Sequence, residues 1–536
     1  MIGDIVFWMG IILIAYAFYK WLTIHQDYFR IRNIPFWKPK YFFGNNIGFM
    51  MLQGYPMCEF MSMLYAVNPG TKILGAFNFR QPNLVVRDPD VIKKLLIKDF
   101  DHFEDHTHVL DEKVDVLFGN SLFFLTGSKW RDMRSTLSPA FTGSKIRQMF
   151  DLLSECGEQM VKALRSESES TGSVDYEMKE LFGKYSNDVI SSVAFGYKID
   201  SFVDPSNDFY LSGKKFAEFG SGKALFRVMT ILMLPRLASL LGISIIDRKV
   251  TTFFRNMVLD NIAERERQGI YRPDMINILM NVKRGNSHLN STTTTTSEEK
   301  SGTDFASVEE SSIGKKIVQR EWTDDEIVAQ CFGFFLAAFD TSSIVLSFVA
   351  YELSVNQNVQ QKLYDEIEEI QQSLSGKQLA FENIQGMKYM DQVISETLRY
   401  WPPAPGMDRV CVKDYSYDDG EYKFKIEKGT TLLIPVYGLH FDEKYWDNPR
   451  EFRPERFSDE NKDKIVSGSF AAFGLGPRSC IGSRLALIEV KTVIYHLLLH
   501  FKFEPNEKSQ IPLKLKSGPV GLTTEKGIHV ALKRRT

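Results

Sequence analysis

The sequence predicts a mainly α-helical protein with a small β portion, organised as a single large domain behind an N-terminal membrane-spanning helix. Three long stretches space their apolar residues as helices do: 327–351, 359–372 and 383–400. Shorter strand-like pieces lie at 71–77, 83–87, 422–426 and 430–435. Residues 5–19 are uncharged. The length of this run is close to the lower limit of about 17 residues for a helix that spans a bilayer.

The composition excludes several classes of protein. The chain has 536 residues, of which 44% are hydrophobic, so it is too apolar to be disordered. Its 65 Lys and Arg residues against 67 Asp and Glu residues give a net charge of −2, which disfavours bulk electrostatic binding of nucleic acid. The 41 phenylalanines favour an aromatic-rich interior or pocket.

The cysteines indicate a reducing environment. They are odd in number and far apart, and no Cys-x-x-Cys pair occurs: Cys58, Cys156, Cys331, Cys411 and Cys480. This spacing excludes a zinc ribbon and a dense disulfide framework. A functional cysteine must therefore owe its role to its neighbours.

The N-terminus reads as an uncleaved membrane anchor. Asp4 precedes the uncharged run, whereas Lys20, Arg30 and Arg32 follow it, and positive charge stays on the cytosolic side. A cleaved signal peptide is the alternative, but no small-residue cleavage site follows the run. The predicted organisation is an anchor over 1–24, a basic, proline-containing linker over 25–45 and a catalytic domain over 46–536.

Three internal stretches need a separate interpretation. Residues 224–243 are apolar but interrupted by Arg and Pro, which predicts a peripheral segment that dips into the membrane interface. Residues 284–317 are rich in Ser, Thr and mixed charges, which predicts a low-complexity segment that is either a solvated loop or a disordered insert. The apolar stretch 327–351 has polar residues at its centre, and Thr323 with Glu326 forms a capping box before it, which together favour a core helix.

The strongest motif surrounds Cys480. Glycines at 474 and 476 allow the backbone to fold closely beneath the sulfur and to direct amides at it, as a thiolate requires. Arg478 suits a carboxylate such as a haem propionate, Phe473 could shield the sulfur from water, and Gly482 would begin a helix close to a flat cofactor. An inert cysteine in a Gly-rich turn is the alternative.

Two further motifs are weaker evidence, and the first is strengthened by an arginine further along the chain. Glu396 and Arg399 are one helical turn apart, and Arg456 downstream could complete a Glu–Arg–Arg network. Trp130 and Arg134 are also one turn apart and could both reach a second propionate, although an incidental Trp/Arg pair is the alternative.

An acid and a hydroxyl lie together in the middle of the predicted core helix. Asp340 and Thr341 would be destabilising in this apolar setting unless they are hydrogen-bonded. A proton relay toward bound dioxygen would explain them. The alternative is a Thr341 hydroxyl bonded back to a helical carbonyl, with Asp340 capped by an arginine.

With these motifs in this order, the chain resembles a cytochrome P-450, a haem-thiolate monooxygenase, from the anchor to the C-terminus. Residues 272–276 and 329–331 are similar to those of the insect microsomal enzymes of xenobiotic metabolism. The family usually has glycine where this chain has Ala338, and the added methyl group would face the oxygen-binding groove.

The resemblance implies roles for individual residues. Cys480 would be the axial ligand of the haem iron, within a loop that includes Phe473, Gly474 and Gly482. The propionates would be held by Trp130, Arg134, Arg409 and Arg478. Thr341 with Asp340 would be catalytic, and the structural residues would be Glu396, Arg399 and Arg456. The substrate cavity would be lined by Phe123, Phe124, Leu336, Ala337 and Val520, with ordinary core packing as the alternative for each.

The resemblance also implies the activity, cofactor and partners. Haem b would support insertion of one oxygen atom from O2 into a lipophilic substrate, such as a plant toxin or an insecticide. Electrons would come from NADPH through NADPH–cytochrome P-450 reductase, with cytochrome b5 as a further candidate partner. The expected location is the endoplasmic reticulum membrane, with the catalytic domain in the cytosol and no nucleic-acid partner. The rival functions are a haem-thiolate isomerase or dehydratase acting on peroxides and a non-catalytic haem-binding membrane protein.

Overall fold

The computed structural model describes most of the chain. The described residues are 2–23, 27–39, 44–45, 54–78, 80–107, 115–217, 227, 230, 243–244, 248–283, 304–308, 322–517 and 522–535. Val520, most of the predicted interface segment 224–243 and most of the predicted loop 284–317 lie outside these residues.

Within the described residues, helices form most of the structure and strands are short. The α-helices are α1 (Ile2–Thr23), α2 (Tyr28–Ile31), α3 (Met57–Ala66), α4 (Pro89–Lys93), α5 (Val116–Gly119), α6 (Gly127–Leu137), α7 (Gly143–Glu167), α8 (Met178–Phe195), α9 (Asp208–Ala217), α10 (Arg248–Gln268), α11 (Met275–Lys283), α12 (Asp324–Val355), α13 (Gln357–Leu374), α14 (Phe381–Gln385), α15 (Lys388–Tyr400), α16 (Val436–His440) and α17 (Ser483–His500). A π-helical turn, Lys94–Lys98, and 3-10 turns at Phe100–His102, Ser138–Phe141, Pro454–Phe457 and Lys462–Lys464 complete the helical part.

The strands form two sheets and a hairpin. Their bounds are β1 (Ile73–Asn78), β2 (Gln81–Val86), β3 (Ser173–Glu177), β4 (Met407–Val410), β5 (Tyr415–Asp418), β6 (Lys423–Ile426), β7 (Thr431–Ile434), β8 (Phe501–Glu504) and β9 (His529–Arg534). One sheet has the order β1-β2-β7-β4, in which only β2 and β7 are parallel. The other has the antiparallel order β3-β9-β8, and β5 pairs with β6.

The predicted mainly α class with a small β portion is confirmed, and its parts match well. The four predicted strand pieces correspond to β1, β2, β6 and β7, with ends shifted by at most two residues. The predicted helix 383–400 is interrupted instead: Gly386, a poor helix former, separates α14 from α15.

The central helix α12 passes through the interior. Its predicted capping box is present, since the Glu326 N–H donates to Thr323 Oγ1 and the Thr323 N–H donates to Glu326 Oε2. By length and composition α12 could cross a membrane, and the part of α1 whose side chains are described, Phe7–Lys20, is a shorter apolar helix. However, 61% of the most apolar part of α12 is buried inside the protein. The prediction of a core helix is confirmed.

Buried apolar residues form four clusters within the described part of the chain, and the two largest differ in composition. The larger cluster packs α7, α8, α12, α15 and α17 together, and α7 contributes a stripe of buried residues at helical spacing. A second cluster, around the N-terminal half of α12, is rich in phenylalanine. Its buried rings include Phe195, Phe209, Phe254, Phe332, Phe335 and Phe339.

Part of the predicted solvated loop 284–317 is packed against the protein. Residues 304–308 are described, Ala306 is buried in the larger core cluster, and Phe305 contacts two aromatic rings, those of Phe457 and Phe470. The prediction of a solvated loop is wrong for these five residues, because a single short apolar pair in a polar stretch gives no periodic signal.

A buried ionic network joins α15 to the segment that precedes the cysteine loop. Arg399 Nε lies 2.7 Å from Glu396 Oε2, and Arg456 Nε lies 3.3 Å from Glu396 Oε1. All three side chains are buried. Arg399 also donates to the His440 carbonyl at 2.9 Å, so the network extends to the end of α16.

Replacing Glu396 is expected to destabilise the fold strongly. Glu396→Gln leaves two buried guanidinium groups without their carboxylate, which should lower the free energy of unfolding by about 3–5 kcal/mol. Urea unfolding followed by far-UV circular dichroism measures the change. The matched control is Asp447→Asn, which removes an exposed carboxylate 3.0 Å from Arg453 and should cost about 1 kcal/mol or less. Equal losses in the two variants would contradict a special role for the buried network.

Candidate functional site

The loop that carries Cys480 is held by its own backbone. The Cys480 N–H donates to the Phe473 carbonyl at 2.8 Å, the Gly474 N–H to the Ala471 carbonyl at 3.0 Å, and the Ser479 N–H to the Gly476 carbonyl at 2.9 Å. Gly482 is the N-cap of α17, as the sequence predicts. The loop is therefore a closed turn that presents residue 480 just before a helix N-terminus.

Two glycines make this turn possible. Gly474 and Gly476 have φ angles of 77° and 75°, a region that other residues rarely adopt. A Cβ at Gly476 would also lie 2.1 Å from the Leu96 carbonyl oxygen in the π-helical turn, so a side chain cannot fit there. The glycines thus bring the loop against Leu96 and fix its shape.

Cys480 is solvent-accessible among buried neighbours. It is the one exposed cysteine in the chain, although the two preceding residues, Arg478 and Ser479, are buried. Surrounding protein nevertheless raises the pKa of the Cys480 thiol, while the Gly482 N–H and the charge of Arg134 oppose this shift. Cys480 is thus accessible to a bound group although the surrounding protein desolvates it.

A group of cationic side chains surrounds this loop. Arg134 is buried on α6 and donates to the Ser479 carbonyl at 2.9 Å. The Arg478 guanidinium lies 4.0 Å from the centre of the Trp130 ring, a cation–π contact. The structure therefore brings Trp130, Arg134 and Arg478 together, as the sequence motifs suggest.

Arg409 approaches the same loop from β4. It is buried, and its terminal nitrogen donates to the Leu475 carbonyl at 3.4 Å. Burial lowers the pKa of Arg409 to about 10 and that of Arg478 to about 9, with Asp105 opposing the shift at Arg478. Two desolvated cations thus lie next to the cysteine turn.

These residues fit a haem with two carboxylates. The Nε–H of Arg409 is buried and has no acceptor among the described residues. A Cβ at Gly482 would meet only Phe141, at an ordinary 3.9 Å, so packing within the described residues does not require glycine there. A flat group lying over the start of α17 accounts for that glycine, and an anionic group accounts for the free donor.

Three partners of the arginines were not predicted. Arg478 donates to the Glu104 carbonyl at 2.7 Å and lies 3.1 Å from Asp105 Oδ1. His106 Nδ1 lies 3.0 Å from Asp408 Oδ1, next to Arg409. The segment 104–106 is more than 300 residues away in sequence, and no local pattern connects it to the arginines.

The predicted catalytic threonine lies on the exposed side of α12. Between Ile327 and Ser354, only Ala337 and Thr341 of this helix are exposed. They are four residues apart and so lie on one face. The Thr341 hydroxyl donates to the Ala337 carbonyl at 2.5 Å, which is the back-bonded arrangement that the sequence left open.

Asp340 faces another side of the same helix. Its Oδ1 lies 3.0 Å from Lys179 Nζ on α8, so its counter-ion is a lysine where the sequence suggested an arginine. Lys179 lines a cavity of about 400 Å³, whose other walls include Tyr210, Lys214, Phe339 and Ser343. The structure therefore does not pair the Asp340 carboxylate with the Thr341 hydroxyl.

The sequence did not predict a buried acid that lies next to Thr341. The Ser342 hydroxyl donates to Glu489 Oε2 on α17 at 2.9 Å. Burial raises the pKa of Glu489 to about 8. A glutamate in an apolar helix could have drawn attention, but only the packing of α12 on α17 reveals its partner.

The predicted substrate-lining residues differ in their surroundings. Phe123 is exposed and stacks on His106, with ring centroids 5.1 Å apart. Phe124 and Leu336 are half-buried against the aromatic cluster. Ala337 lies on the exposed face of α12, and Val520 lies outside the described residues.

Comparison with known proteins agrees with this geometry. A family model described as Cytochrome P450 matches residues 34–531. The chain is 42% identical over 528 residues to probable cytochrome P450 9f2 of Drosophila melanogaster, covering 97% of this chain and 98% of the relative. It is 40% identical over 539 residues to cytochrome P450 9e2 of Blattella germanica, covering 98% and 97%. It is also 33% identical over 526 residues to cytochrome P450 6k1 of the same organism, covering 98% and 96%.

The suspected resemblance is confirmed over nearly the full length of the chain. Members of the matched family are monooxygenases that use haem b and molecular oxygen, and the cysteine loop with its arginines suits that cofactor. The chain belongs to the cytochrome P450 family and is a haem-dependent monooxygenase.

Proposed function

We propose that this monooxygenase oxidises lipophilic foreign compounds with electrons that NADPH supplies through a membrane-bound flavoprotein reductase. The observation that carries the proposal is the exposure both of Cys480 and of the Ala337 and Thr341 face of α12. Haem b, when bound, supplies the centre at which oxygen is activated, and electron donation from a thiolate ligand favours O–O cleavage.

Cys480 is the residue proposed to bind the iron. Its loop is closed by three backbone hydrogen bonds and contains two glycines in the left-handed region, so the sulfur is held in one place. The nearby charge of Arg134 and the Gly482 N–H both favour the thiolate.

Trp130 and the three arginines are proposed to hold the propionates. Arg134, Arg409 and Arg478 come from three separate parts of the chain and meet at the loop. A guanidinium group offers paired donors to a carboxylate, and Trp130 fixes the plane of Arg478 by stacking on it.

Proton delivery is proposed to involve Thr341 and Asp340 from two sides of α12. The Thr341 hydroxyl faces the same space as Ala337, and it can exchange its bond to the helix carbonyl for one to a bound group. Asp340 meets Lys179 close to a separate cavity of about 400 Å³. That cavity gives solvent protons a route to the back of the helix.

The proposed substrate class follows from the lining. Phe123, Phe124, Leu336 and Ala337 would offer aromatic and aliphatic contacts with few polar groups, which suits lipophilic molecules. The relay of Thr341 and Asp340 favours oxygen-dependent chemistry over a peroxide isomerase or dehydratase, and over a non-catalytic haem protein.

We further propose that α1 anchors the enzyme in the endoplasmic reticulum membrane. Within α1, large apolar side chains such as Phe7, Ile12 and Ile14 are 64–71% exposed, which a water-soluble helix avoids. Because basic residues follow the helix, the catalytic domain would lie in the cytosol, accessible to the reductase and to cytochrome b5.

Replacing Cys480 tests the proposed iron ligand. The wild-type protein should give the strongly red-shifted reduced carbon-monoxide difference spectrum of a thiolate-ligated haem, and Cys480→Ser should abolish it. Cys156→Ser, an exchange at a buried cysteine of the larger core cluster, is the control and should keep the spectrum. Survival of the thiolate spectrum in Cys480→Ser would exclude Cys480 as the ligand.

Replacing Thr341 tests the proposed proton relay. Thr341→Ala should raise the hydrogen peroxide formed per NADPH consumed and lower the product formed per NADPH, by about 100-fold if the hydroxyl acts in proton transfer. Ser354→Ala is the matched control, since Ser354 on the same helix also donates to a helix carbonyl but is buried and does not line the cavity. Equal coupling in wild-type protein and Thr341→Ala would remove Thr341 from the relay. Reductase-dependent NADPH consumption in the same assay also tests the electron source.

Deleting residues 2–23 tests the proposed anchor. The full chain should stay with the membrane after an alkaline carbonate wash, and the truncated chain should be released in large part. An asparagine glycosylation site added before residue 2 should be modified, whereas one added to the exposed turn at 418–420 should not. The reverse pattern of modification would overturn the proposed orientation.

A further inference from the structure

Five residues of the polar insert occupy a defined binding site beside the cysteine loop. We call Asp304–Val308 the strap. Its Phe305 N–H donates to Asp391 Oδ2 on α15 at 3.0 Å, and its Val308 N–H donates to the Ser483 hydroxyl at 3.3 Å. Ser483 is the first residue of α17, three positions after Cys480.

A buried lysine holds the first residue of the strap. Lys491 is fully buried on α17, and its ammonium group donates to Asp304 Oδ1. Asp391 Oδ1 lies 3.8 Å from the same ammonium group and has no hydrogen-bond partner among the described residues. Lys491 thus has two carboxylates available, and burial raises the pKa of Asp391 to about 6 although Lys491 opposes the shift.

Because Lys491 has a second carboxylate nearby, the strap can detach while the rest of the protein stays folded. If Asp304 left, Lys491 would still face Asp391, so release of the strap would not leave an unpaired buried charge. The ion pair between Asp304 and Lys491 therefore helps to bind the strap but is not required for folding. Packing of Phe305 and Ala306 supplies the rest of the attachment.

The aromatic contact links the strap to the cysteine loop. The Phe305 ring meets Phe457 and Phe470 edge-to-face, with centroids 4.7 and 5.5 Å apart. Phe470 in turn stacks on His440, 5.4 Å away. The next residue, Ala471, donates its N–H to His440 Nε2 at 3.0 Å and accepts the Gly474 N–H that begins the cysteine turn.

We propose that Lys491, Asp391, Ser483, Phe457 and Phe470 form a peptide-binding socket, which the chain fills with its own strap, and that the filled socket positions the cysteine loop. The proposal rests on the role proposed for Cys480. Asp304 and Phe305 are positioning residues, since they act on the loop through Phe470 and Ser483.

Hydrogen exchange of the full-length holoprotein tests the proposal. Asp304→Asn combined with Phe305→Ala should reduce the protection of amides in 470–483 by about 10-fold, the effect of losing two edge-to-face ring contacts. Glu298→Gln, a carboxylate change in the same insert, is the control and should leave this protection unchanged. Phe305→Leu should restore part of it.

A synthetic peptide of residues 301–311 provides the second test. Added to the double variant, it should bind saturably, restore protection in 470–483 and slow conversion of the thiolate-type carbon-monoxide spectrum to the thiol type. It should bind the wild-type protein at least 10-fold more weakly, because the socket is already filled.

Unchanged protection of 470–483 in the double variant, or no binding of the peptide to it, would overturn the proposal. Exchange and peptide binding need neither dioxygen, nor a reductase, nor a substrate. An incorrect substrate class or electron source would therefore leave both results unaffected, and only the spectral readout depends on Cys480 as ligand.

Discussion

The position of the cysteine loop depends on the contacts of one buried carboxylate, that of Glu396. It orients Arg399, which donates to the His440 carbonyl, while His440 donates from Nδ1 to the Arg399 carbonyl at 2.9 Å. Burial and the charge of Arg399 lower the pKa of His440 to about 3, so the ring stays neutral and its Nε2 can accept the Ala471 N–H. A charged histidine could not accept that bond. One buried anion thereby sets the position of Ala471, and Ala471 begins the turn around Cys480.

The sequence predicts contacts between residues that are close together in the chain, but it does not predict contacts between residues that are far apart in it. The cysteine loop, the capping box at Thr323 and the Glu396–Arg399 pair each lie within ten residues, so their order in the chain already states their geometry. Lys179, Glu489 and Asp105 reach the site from helices or turns over 140 residues away from their partners. Their side chains have ordinary surroundings in sequence, and only the packing of helices on α12 and α17 selects them.

The strap shows a second limit of sequence patterns. A periodic signal needs several apolar residues, whereas Phe305 and Ala306 are a single pair within a polar stretch. The pair matters because of the side chains that bind its segment, namely a buried lysine on α17 and two aromatic rings. A short segment can be well ordered because its partner is, even when its own composition favours solvent.

The pairing of β3 with β9 has a consequence for how the chain is made. β3 ends at Glu177 and its partner β9 begins at His529, and β9 also separates β3 from β8. During synthesis β3 leaves the ribosome long before β9 does, so this sheet cannot close until β9 has emerged as well. The nascent domain must hold the edge of β3 unpaired until then, at the surface of the membrane where α1 is proposed to have inserted. Completion of the sheet is thus a late event in the folding of this domain.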